Sequence, residues 1–324
     1  MKTRLQSKVA KSFLTLPTTG VYAIIVWSLA GLFVHQWWWQ LACMAVSTYL
    51  FVELNNVNAL LRIRSRMMSS IYLVLSSMVC SLFESLQGAI TSILFLLSLL
   101  ILFSAYQDSK AMRKAYYAFL FIGLASLLQV RILLYVPLLW LLCITQLQFF
   151  NWRTWTAALI GLLTPYWFIL PWIIHQQQFQ LPYEHFKTLW EWKFPIDYSI
   201  LTIGQSASVI FILIITSVSA FHFWSKSFED KIRIRQIYGF FAWIIIFTFI
   251  LLAIQPQHFD ALMRLIIICA SPFVAHFFTL SNSRFSNLFF IITCIMTVLV
   301  TIINLYSSPL SLISDGTGVL WNGL

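Results

Sequence analysis

The chain has 324 residues, of which 60% are hydrophobic, 17% are aromatic and only 9% are charged. A water-soluble domain could not cover its surface with so few charged groups, so the composition excludes a soluble globule and predicts a polytopic membrane protein. The formal net charge of +10 lies mainly in short loops. Such loops are typical of orientation signals and contacts with anionic lipids, and they do not indicate nucleic-acid binding.

Apolar stretches follow one another along the chain, and most are long enough to cross a hydrocarbon core of ~30 Å. Polar and apolar residues do not alternate within them, which favours helices over barrel strands. No small-residue cleavage site follows the first stretch, so we expect it to be retained as a helix. The stretches cover residues 16–34, 38–53, 69–86, 88–106, 115–149, 154–174, 200–223, 237–254, 260–280 and 287–307.

The stretch 115–149 is too long for one span, because at 1.5 Å per residue it would reach roughly 50 Å. Gln129 and Arg131 lie near its middle. An unpaired charge at the centre of a bilayer costs at least ~2.5 kcal/mol. We therefore expect two short helices that meet near these residues, with Arg131 at the outer interface.

This hairpin determines the predicted topology. Basic loops stay in the cytoplasm, and only the hairpin puts every strongly basic loop on the side of the N-terminus. The sequence therefore predicts an all-α, polytopic integral membrane helix bundle of about eleven transmembrane helices, with the N-terminus inside and the C-terminus outside. The basic groups concerned are Lys2, Arg4, Lys8, Lys11, Arg62, Arg64, Arg66, Lys110, Arg113, Lys114, Arg153, Lys226, Lys231, Arg233, Arg235 and Arg284.

We expect residues 1–324 to form a single integral membrane domain. The external connection 175–199 has aromatic residues at helical spacing, which predicts a short interfacial helix over 183–194. This helix would be either an aromatic anchor or a lid over an external site. The tail 307–324 is rich in Gly and Ser and is expected to be flexible. The apolar residues of the helix are Tyr183, Phe186, Leu189, Trp190 and Phe194.

Common catalytic motifs are missing from the sequence. It contains no Gly-rich phosphate loop, no H-E-x-x-H, no C-x-x-C and no G-x-S-x-G, which removes the usual support for a nucleotide-driven pump, a zinc protease and a serine hydrolase. The cysteines are isolated within apolar runs, so we predict packing roles and no metal site. They are Cys43, Cys80, Cys143, Cys269 and Cys294.

Polar groups at the external helix ends are the candidate site. Asp260 and Arg264 are four residues apart and share one helix face. Arginines suit a phosphate, and a carboxylate suits acid or base chemistry. Glu84 is therefore the candidate catalytic residue, and the alternative is that each group only marks a helix end among headgroups. The predicted substrate-binding residues are Gln129, Arg131, His258, Asp260 and Arg264.

The inner connection "FVELNNVNALLRIRSRM" has asparagines followed by arginines. Asparagines that leave a span often bond freed backbone carbonyls or neighbouring helices. We predict a structural turn that holds the second and third spans together. The alternative is contact between the arginines and lipid phosphate.

Four segments resemble an uncharacterised family of polytopic inner-membrane proteins from Bacteroidota. They are "NNVNALLRIRSRM", "SLFESLQGAITSILFLLSLLILFSAYQ", "AYYAFLFIGLASLLQVRILLYVPLLWLL" and "NWRTWTAALIGLLTPYW". The middle part is also similar to the hydrophobic core of GT-C glycosyltransferases, as is "RLIIICASPFVAHFF" with its Arg followed by Pro. The first resemblance implies the bacterial inner membrane. The second implies polyprenyl-phosphate-linked sugars as substrates in envelope glycan assembly.

The sequence departs from the GT-C pattern in the first external loop. Those enzymes carry an acidic catalytic residue there, whereas "HQWWWQ" has no carboxylate, and Glu84 is the candidate substitute. Three interpretations stay open: a glycosyltransferase or non-catalytic relative, a transporter or flippase for a lipid-linked substrate, and an assembly subunit of an envelope complex. The first two would bind membrane lipids or a polyprenyl-phosphate-linked glycan, and the third would bind a protein partner.

Overall fold

A computed structural model describes residues 5–63, 65–177, 180–190, 196–281 and 283–307, apart from the side chain of residue 181. The described residues form helices and no strands, which confirms the predicted all-α class. Four 3₁₀ turns occur at Cys80–Phe83, Val130–Leu134, Ser227–Glu229 and Pro256–His258. The α-helices are α1 Leu5–Lys11, α2 Thr15–Leu29, α3 Leu32–His35, α4 Trp38–Asn58, α5 Met67–Met78, α6 Leu86–Ser104, α7 Met112–Leu128, α8 Tyr135–Thr145, α9 Trp152–His175, α10 Gln180–Lys187, α11 Ile203–Lys226, α12 Ile232–Ile254, α13 Phe259–Leu280 and α14 Arg284–Ser307.

Six helices of the described chain are long and apolar enough to cross a membrane. They are α6, α9, α11, α12, α13 and α14, and α1 with α2 would make a seventh across a bend of 94°. The set is compatible with an integral membrane protein. The other predicted spans correspond to helices that are shorter or more polar than these six. For example, α5 has 12 residues and α8 has 11.

The stretch 115–149 is broken, as its length predicts. α7 ends at Leu128, and a 3₁₀ turn leads into α8. After α8 the chain returns to the level at which α7 began, since the Gln107 backbone N–H donates to the Leu147 carbonyl at 2.9 Å. Asn151 Nδ2 likewise donates to the Ser109 carbonyl at 2.9 Å. The predicted reversal at Arg131 is therefore present in the fold.

The helices α7 and α9 approach each other through two glycines. A Cβ at Gly123 would lie 2.5 Å from the Leu162 carbonyl oxygen. A Cβ at Gly161 would come even closer to the Tyr116 carbonyl oxygen. Small residues allow helix backbones to make such contacts in membranes, where a hydrophobic driving force between helices is lacking.

Basic residues collect at one end of the bundle, which we call the basic end. Hydrogen bonds join its loops, for example from Ser65 Oγ to the Ala10 carbonyl at 2.5 Å and from Arg233 Nη2 to the Phe103 carbonyl at 3.1 Å. The other end, which we call the opposite end, has Arg131, Lys187 and Arg264 as its described basic residues. Those at the basic end are Lys8, Lys11, Arg62, Arg66, Lys110, Arg113, Lys114, Arg153, Lys226, Lys231, Arg233, Arg235 and Arg284.

The helix α13 is the centre of the bundle. Nearly all of its residues are buried, and it packs against α5, α11 and α12. It begins at the opposite end with Asp260 and Arg264 and reaches the basic end at His276. One central helix therefore carries polar groups to both ends.

The connection 175–199 forms a shorter helix than the sequence predicts. α10 ends at Lys187 instead of continuing to residue 194. Phe186 stacks on Tyr166 with ring centroids 5.6 Å apart, while Tyr183 and Trp190 are exposed. Two parts of the prediction, Phe194 and the tail after Ser307, lie outside the described residues.

Candidate functional site

The first turn of α6 and the first turns of α13 meet at the opposite end. Ser85 caps α6, because its hydroxyl accepts from the Gly88 backbone N–H at 2.9 Å. Arg264 Nη2 pairs with Asp260 Oδ1 at 3.1 Å, as the four-residue spacing predicts. The same nitrogen donates to the carbonyls of Leu82 and Ser85. The guanidinium thereby joins α13 to the segment that precedes α6.

This approach depends on the glycine in the first turn of α6. A Cβ at Gly88 would lie 2.6 Å from both Arg264 Nε and Asp260 Oδ2. Such distances are shorter than real Cβ contacts, so a larger residue would push the ion pair away from α6. Gly88 therefore allows the Asp260–Arg264 pair to pack directly on that turn.

Glu84 belongs to the segment that Arg264 holds. Its side chain is exposed, and its carbonyl accepts from Gln40 Nε2 at 3.5 Å. The structure thus brings the Glu84 segment, Asp260 and Arg264 to one place. The Glu84 carboxylate is exposed and the Arg264 guanidinium is fixed by Asp260 and two carbonyls. A guanidinium can bind an anion, and a carboxylate can accept a proton.

Two of the other predicted site residues, Arg131 and His258, lie at the turn between α12 and α13. Arg131 Nη1 donates to Oε1 of the buried Gln255, which follows α12 directly. His258 lies in the 3₁₀ turn just before Asp260, and Gln129 ends α7 in an extended conformation. These residues share the end of the bundle with Arg264, and Arg131 contacts the turn that precedes Asp260.

A small cavity with both polar and apolar walls adjoins this cluster. Its volume is about 30 Å³, which is room for about one water molecule. Arg264 is the predicted site residue that lines it, together with Ser47, Tyr72, Ser76 and Ser92. Trp27 stacks on Phe83 at 3.9 Å beside it. A phosphate would have to bind at its mouth or widen it.

A second polar cluster at the basic end was not predicted from the sequence. Asp230 has a fully buried side chain whose Oδ1 accepts from Arg62 Nε at 2.6 Å. Its Oδ2 lies 3.1 Å from Nε2 of the buried His276. Arg62 also pairs with Glu229 at 2.8 Å. The cluster joins the α4–α5 loop, the α11–α12 loop and α13.

Burial and hydrogen bonding shift the pKa of Asp230 in opposite directions. Burial raises the pKa of this carboxyl, but the hydrogen bonds from His276 and Arg62 outweigh it and lower the pKa to about 2. Asp230 is therefore ionised at neutral pH. The cluster supports the structural interpretation of the inner connection, since Arg62 binds protein carboxylates. The sequence signal was an acidic pair, Glu229 and Asp230, in an otherwise basic loop, and a lone His276 in an apolar helix.

No metal site is formed by the described side chains, because no three His, Cys, Asp or Glu residues come together in a suitable group. Comparison of the chain with protein-family models, curated proteins and solved structures finds no match. The family resemblance therefore remains an expectation from the sequence segments. The geometry of the Arg264 cluster is the basis for a functional proposal.

Proposed function

We propose that the chain is a protein of the bacterial inner membrane with about eleven spans and with its basic end in the cytoplasm. The separation of basic residues supports this orientation, because positively charged loops are retained on the cytoplasmic side. The helices α2, α4 to α9 and α11 to α14 run alternately between the two ends. α5 is short but almost completely buried, so neighbouring helices rather than lipid surround it. The N-terminus is then inside, and α14 ends outside.

Cysteine labelling tests this orientation. In a background without native cysteines, Ser199→Cys at the opposite end should react with a membrane-impermeant maleimide on intact spheroplasts. Lys231→Cys at the basic end should react only after the membrane is broken, because both residues are exposed and only the bilayer separates Lys231 from the reagent. Labelling of Lys231→Cys on intact spheroplasts would show that the orientation is inverted.

The function that the geometry supports best is binding of a polyprenyl-phosphate-linked sugar at the opposite end, in a protein similar to GT-C glycosyltransferases. The observation that carries it is the guanidinium of Arg264, whose side chain is only 13% exposed. Asp260 and two carbonyls fix it, and Nη1 has no hydrogen-bond partner among the described residues. A positioned arginine with free N–H groups suits a phosphate oxygen.

The remaining residues have roles that follow from their positions. Asp260 orients Arg264, and Arg131 adds a second positive charge beside the α12–α13 turn. Glu84 is the candidate base that would accept the proton of an acceptor hydroxyl, since its carboxylate is exposed to solvent. Gln129 and His258 are polar groups at the rim.

Two substitutions separate binding from catalysis. Arg264→Gln should reduce co-purified polyprenyl phosphate about tenfold to a hundredfold, because a hydrogen bond to a charged group contributes ~1.5–3 kcal/mol. Glu84→Gln should retain the lipid but fail to complement an envelope-glycan defect in a deletion strain. Mass spectrometry of the protein purified with native lipids measures the first effect. Arg153→Gln, at an exposed position of the basic end, is the matched control for charge.

Several outcomes would contradict the proposal. Equal lipid retention by wild type, Arg264→Gln and Arg153→Gln would leave Arg264 as a helix-end residue that only packs. A co-purified protein without any lipid phosphate would favour an assembly subunit instead. Full complementation by Glu84→Gln at normal membrane levels would remove Glu84 as the base.

A further inference from the structure

A second cavity lies in the wall of the bundle toward the basic end. Its volume is about 430 Å³, which is within the range of ~300–1,000 Å³ found for ligand sites. The helices α1, α2, α5, α13 and α14 form its walls, together with Ile215 of α11. Along α14 it extends from Phe290 to Val298, a distance of about 12 Å at 1.5 Å per residue.

The walls of this cavity are apolar even where threonines line it. Thr18 and Thr19 donate to the Thr15 carbonyl at 2.9 and 3.1 Å. Thr297 donates to the Thr293 carbonyl at 2.7 Å. The hydroxyl hydrogens of these three threonines are used within their own helices, and Thr15 donates to the Val9 carbonyl of α1 at 2.5 Å. The cavity is therefore suited to a hydrocarbon chain.

One buried hydroxyl in the lining has no partner. Ser70 is 2% exposed, and its Oγ makes no hydrogen bond with any described residue. Its neighbour Ser69, in contrast, donates to the Arg66 carbonyl at 2.9 Å. A buried polar group without a partner costs ~1–3 kcal/mol, so Ser70 points to a ligand with an acceptor oxygen. Ser70 lies in the first turn of α5, close to the basic end.

The mouth of the cavity carries positive charge. α1 bends 94° away from α2, and its Leu5 and Val9 line the cavity. Lys8 is three residues after Leu5 and exposed, so it lies at the edge of the same helix face. An apolar face with a lysine beside it is typical of helices that lie at the surface of anionic membranes.

We infer that this cavity binds one acyl chain of an anionic phospholipid from the leaflet at the basic end. The acyl chain lies between α2, α5 and α14, and its ester carbonyl accepts a hydrogen bond from the Ser70 hydroxyl. The phosphate of the same lipid lies near Lys8. This site is separate from the Arg264 cluster, because the two are at different ends of the bundle.

Native mass spectrometry of the purified full-length protein tests the inference. After removal of native lipid, titration with phosphatidylglycerol should give one retained lipid per protein, and phosphatidylethanolamine should bind several-fold more weakly. Thr19→Phe, which fills the cavity, should lower retention of phosphatidylglycerol at least tenfold. Lys8→Gln should reduce the preference for phosphatidylglycerol. Ile160→Phe, on a 61% exposed surface of α9, is the control for added bulk and should change nothing.

A second measurement uses wild-type protein and so does not depend on a variant that folds. Cys294 lines the cavity, whereas Cys43 lies at the opposite end. Phosphatidylglycerol should slow alkylation of Cys294 by N-ethylmaleimide and leave the rate at Cys43 unchanged. Equal rates at Cys294 with and without lipid would overturn the inference. So would equal retention of lipid by wild type, Thr19→Phe and Ile160→Phe.

Discussion

Asp230→Ala is expected to destabilise the folded protein by about 3–5 kcal/mol, the usual effect of removing one partner of a buried ion pair. The carboxylate is fully buried between Arg62 and His276, so its loss leaves Arg62 Nε and the buried His276 Nε2 without their hydrogen-bond acceptor, while Arg62 Nη1 keeps its pair with Glu229. Thermal unfolding of the detergent-purified protein, followed by tryptophan fluorescence, measures the effect.

The matched control is Asp108→Ala, which removes an exposed carboxylate paired with Lys114 at 3.1 Å. Exposed pairs contribute little, so this variant should unfold close to the wild-type temperature. Similar losses for both variants would contradict a special role for the buried cluster.

The pH dependence gives a further signature of the Asp230 cluster. The folded-state pKa of Asp230 is about 2, below its ordinary value of 3.8. A carboxyl whose pKa is lower in the folded state stabilises the fold at pH values above its ordinary pKa. This contribution is lost as the pH falls through the folded-state pKa. Stability should therefore decrease between about pH 4 and pH 2. In Asp230→Asn this part of the decrease should be absent.

Gly161→Ala is expected to destabilise the protein by about 2–3 kcal/mol, because overpacking a tight contact typically costs 1–3 kcal/mol. The added Cβ would collide with the Tyr116 carbonyl, and a backbone atom cannot move aside as the end of a flexible side chain can. Both α7 and α9 would have to separate. The midpoint of thermal unfolding and the yield of monodisperse protein measure the loss.

Gly20→Ala provides the control for the same chemical change. Gly20 lies within α2, and nothing is within 4 Å of the position that its Cβ would occupy. Alanine favours a helix over glycine by up to ~1 kcal/mol, so this variant should be as stable as the wild type or more so. A loss at Gly161 no larger than at Gly20 would show that the α7–α9 contact tolerates a side chain.

Local patterns were sufficient for several features of the fold. The length of the stretch 115–149 and the arginine within it predicted the break at Gln129, and the four-residue spacing predicted the Asp260–Arg264 pair. In contrast, the end of α10 was predicted seven residues too far along the chain, because aromatic spacing continues after the helix ends at Lys187.

Sequence by itself determined the all-helical class, the reversal at Arg131 and the basic character of alternate loops, because hydropathy, helix period and charge are read within one segment. Only the tertiary structure decided which polar groups meet. Arg264 is 182 residues from Leu82, and Arg62 is 168 residues from Asp230. These contacts depend on how whole helices pack around α13, because no single segment contains both partners. The two cavities depend on the same packing, since each segment supplies only one of their walls.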